Sequence, residues 1–314
     1  MWDALVFAFD AIAPIFLVVL LGVVFRQRGW IDHQFVQQGS RLVFNVALPT
    51  LIFLSLSTLD LNQVLDPRQV IVALTGVLLG FLALWWFSRI HVPRADQRGV
   101  WVQGAFRGNL GIVGIALCAQ VYGATNLAMA SLLLGVITLL YNVLSVWVLQ
   151  RARQQTSSGW HPLVTSMLRN PLILSILASL PFAWWHLSLP GWIHTAAGYF
   201  ARMTLPLALI CVGASLSPDV LRRAGKLALT ASLAKLVLLP AAQLALAMAA
   251  GVSGMALGTL FLMLGSPTAT ASFIMVRAMG GDDELAAAII VISTLASFVT
   301  LATGLTCLRV LGLI

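Results

Sequence analysis

Charged side chains are scarce. Asp, Glu, Lys and Arg make up 9% of the 314 residues, against 60% for hydrophobic ones. Soluble globular domains carry about 25% charged residues, so almost nothing here is left over for a domain facing water. Carboxylates are scarcest of all: Asp3, Asp10, Asp32, Asp60, Asp66, Asp96, Asp219, Asp282, Asp283 and Glu284 fall in loops or at the ends of apolar runs. A sodium or proton antiporter usually keeps a carboxylate deep in the membrane as cation ligand or proton carrier. Cation exchange is therefore not expected as the primary activity, and a neutral or anionic substrate is left open. Cys118, Cys211 and Cys307 are scattered through apolar runs without CxxC or histidine spacing, which reads as packing rather than a disulfide or zinc site. His33, His91, His161, His186 and His194 lie in loops or at run ends, with no HExxH and no intramembrane Ser–His pair. Ser266-Pro267 sits in no nucleophile-elbow pattern. The chain is not expected to be an enzyme, and neither a cofactor nor a metal is expected.

What the sequence does have is a succession of apolar runs, each about the 20 residues that cross a bilayer. Ten spans are expected, at about 4–25, 37–58, 68–88, 99–121, 127–149, 164–186, 195–216, 226–250, 256–278 and 285–309. The first lacks the basic n-region and cleavage site of a secretion signal and is expected to stay in the mature protein. Net charge is +8 and the pI near 10.4, a balance that would suggest nucleic acid in a soluble chain. Here the cations cluster in short connections: Arg26, Arg28, Arg89, Arg94, Arg98, Arg151, Arg153, Arg222, Arg223 and Lys226 share one side if ten spans alternate. The positive-inside rule makes that side cytoplasmic and puts both termini outside.

The chain also repeats itself. Pro14 and Pro171, like Pro49 and Pro206, are 157 residues apart, half of 314. Val46-Ala47-Leu48-Pro49-Thr50-Leu51-Ile52 faces Met203-Thr204-Leu205-Pro206-Leu207-Ala208-Leu209 at this offset, and Val121-Tyr122-Gly123-Ala124 faces Ala278-Met279-Gly280-Gly281. Residues 1–153 and 154–314 thus read as two five-span halves. Five is odd, so the second half enters the membrane from the opposite side, an inverted repeat of the kind secondary transporters use. The fourth span of each half carries a breaker at equivalent depth. Ser266-Pro267-Thr268 corresponds to Asn109-Leu110-Gly111, within the glycine-rich run Gly108 to Gly114. Each alone would fit a tolerated kink or a small-residue packing face. As a related pair they are expected to be unwound segments meeting near the midplane, with helix N-termini that favour anions.

Three cations lie within spans. Arg202 and Lys235 are expected to snorkel to the nearer interface. Arg107 immediately precedes the Gly-Asn break and has two readings, contact with an anionic substrate or snorkelling to the cytoplasm. Asn45 lies one turn before Pro49 and is a candidate for lining the cavity, or for bonding to a neighbouring helix. The candidate substrate site is Asn109, Arg107, Gly111, Ser266, Pro267, Thr268 and Asn45. Thr270 and Ser272 are read as bonding back to their own helix, and Gln120, Tyr122 and Asn142 are weaker candidates.

On these residues the chain resembles the auxin efflux carrier family, as a bacterial member. The resemblance runs through Phe44-Asn45-Val46-Ala47-Leu48-Pro49, Asn109-Leu110-Gly111-Ile112-Val113-Gly114-Ile115-Ala116-Leu117, Asn170-Pro171-Leu172-Ile173, Ser266-Pro267-Thr268-Ala269, Gly280-Gly281-Asp282 and Ser293-Thr294-Leu295. It implies an all-α membrane protein of ten helices in two inverted repeats, with crossed discontinuous helices 4 and 9, related to bile-acid symporters and sodium/proton antiporters. It further implies a scaffold of spans 1, 2, 6 and 7, a moving unit of spans 3–5 and 8–10, and elevator-like alternating access. Family members include plant auxin exporters and bacterial proteins, some linked to malonate. Ala116 stands where many relatives have proline, and the plant exporters' long cytoplasmic loop is missing. The expected function is a carrier of small organic anions such as carboxylates in the inner membrane. Alternatives are a sodium- or proton-coupled symporter of the same fold, or a non-transporting membrane sensor. Expected partners are the anion, the bilayer and a second copy docked through the scaffold helices, with no nucleic acid.

Overall fold

A computed structural model describes residues 2–57, 67–152, 171–216, 220 and 225–314. The calls on Asp60, Asp66, Asp219, Arg153, Arg222, Arg223, His161, Asn170 and the start of the sixth span lie outside these residues. The described chain is helical throughout, with one isolated antiparallel bridge and no other β-structure. The helices are α1 (Trp2–Gln27), α2 (His33–Ser57), α3 (Pro67–His91), α4 (Ala95–Phe106), α5 (Leu110–Tyr122) and α6 (Ala124–Ala152) in the first half. The second half has α7 (Pro171–Trp184), α8 (Gly191–Ser215), α9 (Lys226–Ala249), α10 (Gly254–Leu264), α11 (Ala271–Ala278) and α12 (Asp283–Val310).

Seven of them, α1, α2, α3, α6, α8, α9 and α12, are long and apolar enough to cross a membrane. They are apolar on nearly every face, as a helix between protein and lipid must be. Leu17, Ile71, Trp86, Leu238, Ile274 and Val299 are exposed on the outer surface, where water would penalise them and hydrocarbon does not. Exposed Trp184, Trp185 and Trp192 gather at the α7–α8 connection, a placement that suits the headgroup layer.

The expected fourth and ninth spans are each two helices, α4 with α5 and α10 with α11. Short π-turns mark other weak points. Val43–Ala47 precedes Pro49 in α2 and Ala234–Leu238 precedes Pro240 in α9, where the proline ring forbids the regular hydrogen bond one turn back. Acidic residues at two helix starts act as caps: Asp32 accepts from the Phe35 amide at 2.7 Å and Asp282 from the Leu285 amide at 2.9 Å. Asp10 departs from expectation. It lies about two turns inside α1 rather than at an end, facing outward.

Helix α1 lies along α8 and α12, and α2 against α7 and α8, while α4 packs on α3, α6, α9 and α12. Long-range bonds add to this packing: Gln69 to the Ala256 carbonyl, Trp101 to Thr230 and Asn126 to Thr259. Phe16 packs edge-on against Phe298, and Leu48 lies against Gly111. The helix ends sort to opposite sides. Gln97 donates to Asp282 at 2.8 Å, joining the starts of α4 and α12, whereas the Gly254 amide donates to the Leu313 carbonyl at 2.9 Å at the far end of α12.

Helices α1 and α8 approach until backbone meets backbone. A Cβ on Gly213 would overlap the Val19 carbonyl, and one on Gly22 would overlap that of Ile210. Such close contact lets dispersion replace the hydrophobic drive that lipid removes. Gly213→Leu is expected to destabilise the protein by more than the roughly 1–3 kcal/mol of ordinary overpacking, since backbone rather than a movable side chain fills the space. Size-exclusion and melting profiles of the purified variant check this; an unchanged profile would remove the α1–α8 contact as a determinant of the fold.

Candidate functional site

The two helix interruptions touch. Arg107 is extended after α4, with φ −81° and ψ 101°, and Gly108 pairs with Thr268 in the antiparallel bridge. The Asn109 amide donates to the Pro267 carbonyl at 2.7 Å, and the Ala269 amide donates to the Arg107 carbonyl at 3.0 Å. Each break thus satisfies backbone groups that the other frees, at a depth where each unpaired one costs several kcal/mol. Proline suits position 267 because it presents a carbonyl here and has no amide needing a partner. Side chains complete the accounting. Thr268 donates its hydroxyl to the Gly104 carbonyl at 2.7 Å and its backbone amide to Ser293 Oγ at 3.1 Å; Ser266 donates its hydroxyl to the Met263 carbonyl at 2.6 Å.

Asn109, Gly111, Ser266, Pro267 and Thr268 are therefore brought together, and all but half-buried Gly111 are buried. Asn109 begins α5, and its side chain makes no cap hydrogen bond. Gly111 fits its bare face against Leu48 and Leu134. Asn45 is not part of the group: it is exposed, and its amide donates to the Arg41 carbonyl one turn back at 2.9 Å. Gln120 is likewise exposed, and Tyr122 packs at the far end of α5 against Gly258.

Arg107 turns inward rather than to the interface. Its guanidinium donates to Asn142 Oδ1 at 2.9 Å, Ser145 Oγ at 3.1 Å and Met275 Sδ at 3.0 Å, all neutral acceptors and one of them a weak sulfur. Gln103, one turn earlier on α4, points its amide at the same sulfur at 3.7 Å and leaves Oε1 buried and unpaired. Ser272, which shares the Met275 face of α11, also keeps a buried hydroxyl without a partner, contrary to the expected bond to its own helix. Gln103, Ser145 and Met275 were not legible as site residues in the sequence. Arg107 marked the place, with Asn142 among the weaker candidates.

Lys235 corrects a second expectation. It does not snorkel: it is 1% exposed, and its ammonium donates to the Leu264 carbonyl at the end of α10 at 2.7 Å. The π-turn before Pro240 carries it. Arg202 is exposed on α8, as a snorkelling residue would be. A cleft of about 790 Å³ opens beside the start of α12, lined by Gln97, Lys226, Phe273, Asp282, Glu284 and Ala288 among others.

Residues 7–158 and 153–303 match the model of a family described as membrane transport protein. The chain belongs to that family. Two proteins described as uncharacterized transporters are similar along nearly their whole length. One from Methanothermobacter thermautotrophicus is 26% identical over 300 residues, 93% of this chain and 95% of the relative. One from Methanocaldococcus jannaschii is 23% identical over 301 residues, 93% and 96% respectively. The protein is a multi-pass membrane transporter rather than an enzyme, and among its described residues no group of His, Cys, Asp or Glu could hold a metal.

Thr268 carries two of the bonds that join the breaks to α4 and α12. Thr268→Val should cost about 1–3 kcal/mol by leaving the Gly104 carbonyl unpaired, lowering the melting temperature of the purified transporter, while Thr268→Ser restores it. Equal stability of the Val and Ser variants would show that the hydroxyl bond is dispensable.

Proposed function

We propose that the transporter carries small organic anions, carboxylates foremost, bound at the Arg107 end of the paired breaks. The observation that carries this reading is a buried guanidinium bonded to neutral groups alone. A cation held in the membrane interior costs at least about 2.5–3.5 kcal/mol, and a bound carboxylate would offset that cost. Gln103 Oε1 cannot donate, but the Gln103 side-chain NH2, the Ser272 hydroxyl and the Asn109 side-chain NH2 can donate to an anion's oxygens. Of the oxygens a carboxylate brings, the guanidinium takes two in a fork that Lys could not match. The auxin efflux carrier branch, with its bacterial carboxylate members, is the part of the family this reading favours.

Ten spans in two inverted five-span halves underlie the proposed mechanism. Several features support them. Helices α2 and α8 are each 25 residues long, and Gly123 and Gly280, 157 residues apart, both close a fourth-span helix with positive φ, 71° and 67°. In this arrangement α4–α5 and α10–α11 are the crossed helices, the basic connections face the cytoplasm and both termini lie outside the inner membrane. The helices α3–α6 and α9–α12 would travel as one unit past α1, α2, α7 and α8, carrying the site from one face to the other. The aromatic and aliphatic contact at Phe16–Phe298 and Leu48–Gly111 suits such sliding, since it breaks no fixed polar bond. Outward-facing apolar surface on the scaffold helices would seat a second copy.

A melting-temperature screen of small carboxylates on the purified protein tests the substrate class, because a ligand stabilises the state it binds. Arg107→Gln is expected to weaken the best carboxylate by about 10–150-fold, the equivalent of a charged hydrogen bond of about 1.5–3 kcal/mol, with Asn109→Ala weakening it less. A folded protein that neither shifts with nor takes up any carboxylate of a broad panel in proteoliposomes would overturn the reading.

A further inference from the structure

Lys235 has no part in the anion site just described, yet it is among the largest fully buried side chains in the protein. Its ammonium lies between the two breaks. A Cβ on Gly108 would stand 3.0 Å from Lys235 Nζ and 2.9 Å from Ser266 Oγ, so the bare face of Gly108 is the space these two groups share. The acceptor, Leu264 O, is the carbonyl at the C-terminal end of α10, where the helix dipole is negative. Neighbouring carbonyls are already engaged, Phe261 with the Gly265 amide and Met263 with Ser266. Among the described residues no carboxylate lies within ion-pairing distance of Lys235.

In transporters built on interrupted helices, half-helix C-termini and unwound carbonyls are the ligands of coupling cations such as sodium. Here that position holds a cation belonging to the chain. We propose that Lys235 is a tethered substitute for a coupling metal ion, so that the carrier binds and moves its substrate without sodium. A metal ion at Leu264 O would have to displace the ammonium or sit beside it, and the repulsion between like charges at contact distance in a buried site opposes the second. The π-turn in α9 and the absence of a side chain at Gly108 are what give the ammonium room to reach the carbonyl. Arg107, next to Gly108 in sequence, sends its guanidinium away toward α6 and α11. The two positive groups thus serve different partners, one the chain's own carbonyl and the other a ligand.

This inference rests on the breaks being the transport site, but its test reads stability without any organic anion and so stands apart from the substrate screen. The melting temperature of the purified wild-type protein is expected to be the same in sodium chloride and in choline chloride. Lys235→Ala should lower it, and methylammonium chloride, whose cation fits the vacated place, should raise it again by about 3 °C or more. Lys235→Met, which refills the volume without charge, should not respond to methylammonium. Stabilisation of the wild type by sodium over choline would overturn the proposal, and it needs no variant to fold. So would a Lys235→Met protein as stable as the wild type, or a folded Lys235→Ala protein indifferent to methylammonium.

Discussion

Amides and carbonyls released by an interrupted helix have no water to turn to at membrane depth, and this protein interrupts two helices at the same place. The solution is mutual: the breaks lie antiparallel, and Asn109 with Pro267 and Ala269 with Arg107 exchange the bonds that their own helices cannot make. Most of the surrounding chemistry follows from that pairing. Thr268 satisfies Gly104, Lys235 satisfies Leu264, and Gly108 must stay without a side chain so that the strands and the ammonium can meet. Remove the pairing and at least four buried polar groups lose partners together.

The same pairing sets the electrostatics. Two cations, Arg107 and Lys235, are buried near carbonyls and hydroxyls, while the described acidic groups cap helices or remain at the surface. A positive interior with no buried carboxylate among the described residues suits the negatively charged cargo proposed above and would give a metal cation little reason to enter. The acidic rim of the cleft at Asp282 and Glu284 does not reverse this, because Asp282 is committed to the α12 amide and to Gln97, and exposed charge is screened within about 8–10 Å.

Proline and glycine made much of this legible beforehand. A proline at 267 and a glycine run at 108–114, read at an offset of 157, located both breaks to within a few residues, because helix interruption needs residues that forgo or loosen the backbone ladder. Side-chain direction was another matter. Asn45 beside Pro49 read as a cavity residue and faces outward; Lys235 read as a snorkelling residue and points to the centre. In a helix that is apolar on every face, hydrophobic periodicity carries no record of which side meets lipid and which meets protein. Gln103, Ser145 and Met275 were silent for the same reason.

Composition, run length and the spacing of helix breakers determined by themselves that this is a multi-pass helical membrane protein with two broken helices. Those properties are local: a span needs only its own twenty residues to be apolar, and a break needs only its own proline or glycines. Which broken segment meets which, which cations are stranded in the interior and which polar atoms remain unpaired beside them were decided by tertiary structure alone. Such facts depend on rotation about helix axes and on contacts between residues more than a hundred positions apart, as between Gly108 and Thr268.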